Sequence, residues 1–193
     1  MIAIIAIVFT FLLPSLGPGT GRSAEAAARQ LTADLDGARL TAIAERTRTR
    51  ILFPTNSTNF TAGASSTAWP TDIAYRGYLV VSEKRTETLW KQRGKWNRFP
   101  QGTALDFSAS AMPTPTEIPV DVGGTGSTTY TFNGPYIEFL ANGSSNLDPT
   151  ATPTPSAVVA DGFVDSSGTF VRKNTNLHYT ITVDPLTGSV SLK

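Results

Sequence analysis

The sequence predicts an α+β fold in which a long N-terminal helix, first hydrophobic and then amphipathic, packs on an antiparallel β-sheet. Three observations predict it. Residues 1–16 form an apolar run without charge, residues 24–46 repeat apolar side chains at three- and four-residue steps, and short β-like runs begin after residue 47. A chain of 193 residues is long enough for one core of ordinary size, so we expect one globular domain.

Three segments divide the chain. We expect a membrane or assembly helix with its breaker at 1–22, an amphipathic helical stem at 23–47 and a β-rich globular part at 48–193. Pro/Thr/Gly-rich insertions are expected near 111–126 and 147–156, because proline lacks the N–H that a sheet interior requires.

Composition excludes several classes of function. The 16 basic and 15 acidic residues give a formal net charge of +1, so no bulk field attracts the chain to nucleic acid. The chain has no cysteine and one histidine, His178, which excludes a disulfide and a thiolate zinc site. His178 has no nucleophile motif near it, and we expect no catalytic residue, no metal site and no cofactor.

The N-terminal run MIAIIAIVFTFLLPSL is typical of membrane sequence, but it is shorter than the roughly 20 residues of a spanning helix. Three interpretations compete. A cleaved signal peptide lacks its basic start here, and a buried core helix would need protein on every side. The third, which we favour, is that Met1 lies inside a longer membrane helix whose start is upstream. The predicted membrane and assembly residues are Ile2, Ile5, Val8, Phe9, Leu12 and Pro14.

The stem is predicted as an amphipathic helix over residues 24–46, with Ser23 as its N-cap. Asp34 and Asp36 are expected on its solvated face. One apolar stripe follows the helical period and is predicted to pack on the sheet. Its residues are Ala27, Leu31, Leu35, Ala38 and Ala42.

The β-rich part shows short runs bounded by turn-forming residues. The segment 55–71 is expected to be a loop and Asp161-Gly162 a turn. The predicted strands are 48–53, 75–81, 87–92, 105–107, 136–140, 157–159, 177–183 and 189–192.

One basic and aromatic cluster lies between Trp90 and Phe99. Aromatic side chains interleaved with cations can stack on single-stranded nucleic acid or on a sugar. The alternative, which we favour, is a hairpin with Arg93-Gly94-Lys95 at its turn, whose aromatic residues face the core while its charges face water. The candidate ligand surface consists of Lys91, Arg93, Lys95, Trp96 and Arg98.

Several stretches, taken in order, resemble one family. After the apolar helix and Pro14 comes ARQLTADLDGARLTAIAERTRTRILF, then TETLWKQRGKWNRFPQGTALDF, YIEFLANGSS and the closing YTITVDPLTGSVSLK. This order, over about half the chain, resembles the GspH/FimT group, which comprises minor pseudopilins of type II secretion and related minor type IV pilins. The family's basic leader ending in Gly, its aromatic residue and its Glu cannot be assigned here.

The resemblance implies a structural subunit and not an enzyme. The implied partners are other pilins or pseudopilins through the N-terminal helix, the inner-membrane assembly platform, the membrane itself, and prepilin peptidase if an upstream leader exists. The implied location is the bacterial inner membrane, crossed once, with the globular part in the periplasm or at the cell surface. Two alternatives stay open: a binding module for DNA or carbohydrate on the same scaffold, and a secreted enzyme behind a signal peptide.

Overall fold

A computed structural model describes residues 20–55, 60–62, 73–83, 89–112, 116–121, 129–150, 156–166 and 168–193. The predicted membrane segment, with Ile2, Ile5, Val8, Phe9, Leu12 and Pro14, lies outside these residues. Within the described part of the chain, no helix is long and apolar enough to cross a membrane.

One helix precedes all the described strands. The helix α1 is Thr20–Glu45. The strands are β1 Thr49–Leu52, β2 Phe60–Ala62, β3 Gly77–Glu83, β4 Trp90–Gln92, β5 Asn97–Arg98, β6 Thr103–Leu105, β7 Thr116–Asp121, β8 Thr129–Gly134, β9 Tyr136–Phe139, β10 Ser156–Val164, β11 Phe170–Arg172, β12 His178–Val183 and β13 Val190–Leu192.

The ends of α1 differ from the prediction. The helix begins at Thr20, directly after the Gly17-Pro18-Gly19 breaker, so Ser23 lies inside it and is not its N-cap. At the other end Arg46 adopts a left-handed conformation with φ of 51°. The N–H of Arg46 donates to the carbonyl of Ile43 at 3.3 Å and the N–H of Thr47 to that of Ala42 at 3.2 Å, which is the Schellman pattern that closes a helix.

The apolar stripe of α1 is buried as predicted. All five of its predicted residues are at most 3% exposed, and Ala24 and Ala28 are buried beside them. Asp34 is a correction to the predicted solvated face, because its carboxylate accepts a hydrogen bond from the buried Tyr78 hydroxyl. The stem therefore uses one polar residue as well as its apolar stripe to hold the sheet.

Two sheets pack on α1. The first has the order β2-β8-β7-β4-β3-β1-β9, with β5 also paired to β3. All its pairings are antiparallel except β4 with β7. The second has the order β11-β10-β12-β13, with β6 also paired to β10. These sheets and the helix confirm the predicted α+β class.

The main core lies between α1 and both sheets. It joins the helix stripe to Ile51 and Phe139 of the first sheet and to Leu105, Val159 and Ile181 of the second. A second core lies on the first sheet alone and contains Leu52, Leu79, Val81, Trp90, Ile118, Val120, Tyr130, Phe132 and Tyr136. Successive residues of β1 enter different cores, which explains why all four are buried.

The segment 111–126, predicted as an insertion, contains β7, which pairs with β8 along its whole length. Pro119 lies opposite Thr131 in this ladder, and β4 pairs only with the two residues after it, Val120 and Asp121. The predicted loop 55–71 likewise contains β2, and the prediction missed β8 entirely. In the segment 147–156, Leu147 is buried, whereas 151–155 lie outside the described residues.

The turn predicted at Asp161-Gly162 is wrong, because both residues continue β10. Gly162 is needed there for a steric reason. A Cβ at this position would lie 2.4 Å from the Val171 carbonyl oxygen and 2.5 Å from the Phe170 ring. Only glycine lets β10 run straight past its neighbour β11.

Leu35→Ala tests the dependence of the fold on the helix stripe. Leu35 is 0% exposed, and removing its side chain should lower the free energy of unfolding by about 2–5 kcal/mol. The matched control is Leu40→Ala, because Leu40 lies on the same helix but is 62% exposed; we expect a change below about 0.5 kcal/mol. Urea titration of the full chain in detergent, followed by tryptophan fluorescence, measures both. Equal losses would contradict the packing described.

Candidate functional site

The basic and aromatic segment forms an interrupted strand and not the predicted hairpin. Val81 pairs with Gln92 in β4, and Tyr78 pairs with Asn97 in β5, so both strands lie end to end along β3. The residues between them bulge out of the ladder, with Gly94 at φ of 77°. A bulge and a hairpin turn require the same local chemistry, which is why the sequence suggested a turn here.

The side chains of this segment divide between core and solvent. Trp90 and Phe99 are buried at 4% and 7% exposure, and Trp96 is half-buried against the second core. All four cations are exposed: Lys91, Arg93, Lys95 and Arg98. Arg93 forms an ion pair with Glu45 at the end of α1. The five residues of the candidate ligand surface therefore lie on one segment. Of the three aromatic rings of this segment, those of Trp90 and Phe99 are unavailable for stacking.

A buried charge cluster lies beside this segment on the first sheet. Arg50 of β1 and Glu138 of β9 face each other in register and form an ion pair. The Arg50 guanidinium lies 4.0 Å from the Trp90 ring centroid and 4.4 Å from that of Tyr136. The cation thus has ring faces as well as a carboxylate to replace water.

A second pair extends the cluster toward solvent. The Nε of Arg48 donates to Glu83 at 2.8 Å, and its Nη1 lies 3.5 Å from Glu138. The hydrogen bond from Arg48 holds the pKa of Glu83 below its usual value, and burial only partly opposes it. The cluster contains no nucleophile, so its chemistry is that of a structural ion network. Sequence reasoning missed it, although charged residues inside the short apolar strands TRIL and YIEF were a visible signal.

Two further polar contacts connect the elements around α1. Burial, together with the hydrogen bond to Asp34, raises the pKa of the Tyr78 hydroxyl. Burial of Asp106 raises its pKa, but hydrogen bonds from Ser108 and Arg172 outweigh this, so the pKa lies below its usual value. Asp106 follows β6 and Arg172 belongs to β11, so this ion pair connects two strands that each pair with β10.

The single histidine and the acidic side chains are the candidates for catalysis or metal binding. His178 is exposed, and its Nδ1 lies 3.2 Å from the Thr175 carbonyl oxygen. Among the described residues, no group of three or more His, Asp or Glu side chains is arranged to hold a metal ion.

The helix and the two sheets define the class to which this protein belongs. One long helix, packed by its apolar stripe on antiparallel sheets that follow it in the chain, is a pilin-like fold. The family model described as type II transport protein GspH matches residues 27–188, and the chain belongs to this family. Comparisons with curated proteins and with solved structures found no match. The family consists of structural pseudopilins, so the resemblance seen in the sequence is confirmed.

Glu138→Ala tests the buried ion pair. It leaves Arg50 buried without its carboxylate, so we expect the free energy of unfolding to fall by about 3–5 kcal/mol. Glu25→Ala is the control, because it removes the same side chain from the exposed pair with Arg29 on α1 and should cost about 1 kcal/mol or less. Urea unfolding curves of both variants give the two values. A similar cost for both would show that the Arg50–Glu138 pair is not desolvated.

Asp106→Asn tests the lowered pKa of Asp106. A carboxyl group whose pKa is lower in the folded protein than in the unfolded chain stabilises the folded state at pH values above its pKa in the unfolded chain. This contribution is lost as the pH falls through its pKa in the folded protein. The stability difference between the unmodified chain and the variant should therefore be largest near neutral pH. It should shrink as the pH falls below the ordinary value of 3.8. Thermal unfolding across this pH range measures it, and a difference independent of pH would refute the assignment.

Proposed function

We propose that this chain is a minor pseudopilin or pilin-like subunit of a type II secretion or type IV pilus-like fibre. The observation that carries the proposal is the position of α1 in the chain, shortly after the apolar run and before the sheets on which it packs. The helix begins at Thr20, shortly after the apolar residues 1–16, and its opposite end is fixed in the main core. Family membership supports a pseudopilin subunit of this kind.

The helix can fix the position of the globular part relative to the membrane. Its 26 residues span roughly 39 Å at about 1.5 Å per residue. The stripe packed on the two sheets prevents rotation of the globular part about the helix axis, since the same residues contact both sheets. A subunit that is moved through its N-terminal segment would then move as one body.

The proposed assembly element is the apolar segment with Ile2, Ile5, Val8, Phe9, Leu12 and Pro14. A helix that is apolar on all faces can exchange lipid contacts for contacts with neighbouring helices at small cost. The proposed partners are other pseudopilins, the inner-membrane assembly platform and, if an upstream leader exists, prepilin peptidase. The proposed location is the inner membrane, with the globular part in the periplasm or at the cell surface.

The surface formed by Lys91, Arg93, Lys95, Trp96 and Arg98 stays a second candidate site for a partner or ligand. The observation in its favour is the exposure of all four cations on one irregular segment. Trp96 is its one aromatic side chain with an exposed part, so charge would dominate any contact made here.

Cysteine cross-linking tests the assembly proposal, because the chain has no cysteine of its own. Ala33→Cys places a thiol on the exposed face of α1, opposite the buried stripe. In cells that make the complete fibre machinery, we expect this thiol to form cross-links to other pilin-like subunits. Adding Ile5→Arg, which places a charge in the apolar segment at a cost of about 2.5–3.5 kcal/mol in the membrane, should abolish them.

Asn176→Cys is the control, because Asn176 is also exposed but lies on the loop before β12. Cross-linking of Ala33→Cys no stronger than that of Asn176→Cys would contradict assembly through the helix. Lys95→Cys distinguishes the second candidate site: cross-links from this position that persist with Ile5→Arg would show that the basic segment binds a partner without membrane assembly.

A further inference from the structure

A pocket with a volume of about 490 Å³ lies where the beginning of α1 meets β10 and the loop between β5 and β6. This volume lies within the range of small-molecule sites, roughly 300–1,000 Å³. The pocket lies apart from the helix stripe and from the buried ion pair. Residues that line it include Arg76, Gln101, Gly102, Asp161, Phe163 and Lys173.

Asp161 is the unusual residue of this pocket. It is 3% exposed, yet no donor among the described residues hydrogen-bonds to its carboxylate. Its partner across the ladder, Thr103 of β6, is 2% exposed, and the Thr103 hydroxyl also has no hydrogen-bond partner in the described structure. The Asp161 carboxylate therefore has acceptor capacity that the described protein groups do not use, and it lines the pocket. A group that fills the pocket and donates hydrogen bonds would pair with it.

The charges around the pocket restrict the chemistry of such a group. Asp161 contributes one negative charge, and the exposed Arg76 and Lys173 contribute two positive charges. An anion would face the buried carboxylate, and a cation would face two like charges at the rim. A neutral molecule rich in hydroxyl groups avoids both conflicts, because each hydroxyl donates as well as accepts.

An aromatic ring completes the arrangement. Phe163 follows Asp161 by two residues along β10, so both side chains leave the strand on the same side. Its ring is 45% exposed, which is unusual for phenylalanine, and it lines the pocket. The apolar face of a sugar ring packs well on an exposed aromatic ring while its hydroxyls contact neighbouring polar groups.

We infer that this pocket binds a neutral saccharide of roughly disaccharide size. Asp161 accepts hydrogen bonds from hydroxyl groups of the sugar, Arg76, Gln101 and Lys173 donate to its oxygens, and Phe163 covers one face of a ring. The inference goes beyond the fibre role and does not depend on it, since the pocket belongs to the globular part and none of its named residues belongs to the proposed assembly segment.

Nuclear magnetic resonance of the full chain tests the inference. The protein is placed in phosphocholine nanodiscs, which avoid detergents with sugar headgroups, and is titrated with cellobiose, chitobiose and maltose. We expect at least one disaccharide to bind with a dissociation constant on the order of 1 mM or tighter. The amide shifts should be confined to the pocket, around residues 76, 101–102, 161–163 and 173.

Two variants and one control assign the binding to named groups. Asp161→Asn should weaken binding roughly tenfold, because the carboxylate is a stronger acceptor than the amide. Phe163→Ala should weaken it several-fold, and because this side chain is exposed, its loss leaves the fold intact even if Asp161→Asn does not fold. Leu186→Ala is the control, since Leu186 is 74% exposed, does not line the pocket and should leave the dissociation constant unchanged.

Three results would overturn the inference. The first is the absence of binding by all three disaccharides, and the second is binding that neither Asp161→Asn nor Phe163→Ala weakens. The third is binding of lysine methyl ester at the pocket in preference to the disaccharides, which would assign the site to a cationic side chain of another protein. None of these results bears on cross-linking through α1, so the two proposals fail independently.

Discussion

Burial of one helical stripe against two separate sheets is the constraint on which the rest of this structure depends. No pairing between the described strands connects the first sheet to the second. The main core joins them through α1, where Leu31 and Leu35 fill the space and the surrounding alanines let the strands approach the helix closely. Because each sheet buries one face on the same stripe, neither sheet could keep its position if the helix were removed.

The opposite face of the first sheet contains a buried ion pair. It is buried in a second core, and there the chain retains Arg50 and Glu138 where apolar residues would be expected. Trp90 and Tyr136 lie against the guanidinium, so the aromatic residues both fill the core and replace water around a charge. Such a pair contributes little net stability relative to apolar residues of similar size, but the loss of either partner is costly. The pair lies in register between β1 and β9.

The helix and the core-facing strands could be predicted from the sequence, because their signals are local. The stripe from Ala27 to Ala42 repeats with the helical period, and the alternation in the strand before Asp184 matches a sheet with one covered face. The membrane and assembly residues stay a prediction, since they lie outside the described structure.

The missed features depend on contacts between distant residues. Pro119 argued against a strand, but the residue lies in β7, whose pairing with β8 the local sequence does not show. Arg93-Gly94-Lys95 has the same local chemistry in a bulge as in a turn, and only the register along β3 distinguishes the two. The composition of Asp161-Gly162 is typical of a turn, but in the structure both residues are buried in β10. The candidate pocket was missed for the same reason, because its carboxylate was assigned to a surface turn.

The proposed role of this chain as a subunit of a fibre is tested by quantitative mass spectrometry of fibres sheared from cells in which the machinery is induced to assemble. The membrane and the medium are analysed in parallel. We expect the chain to be recovered in the fibre fraction, in smaller amounts than the major subunit. Recovery only as free protein in the medium, or only in membranes while the major subunit is in fibres, would contradict it.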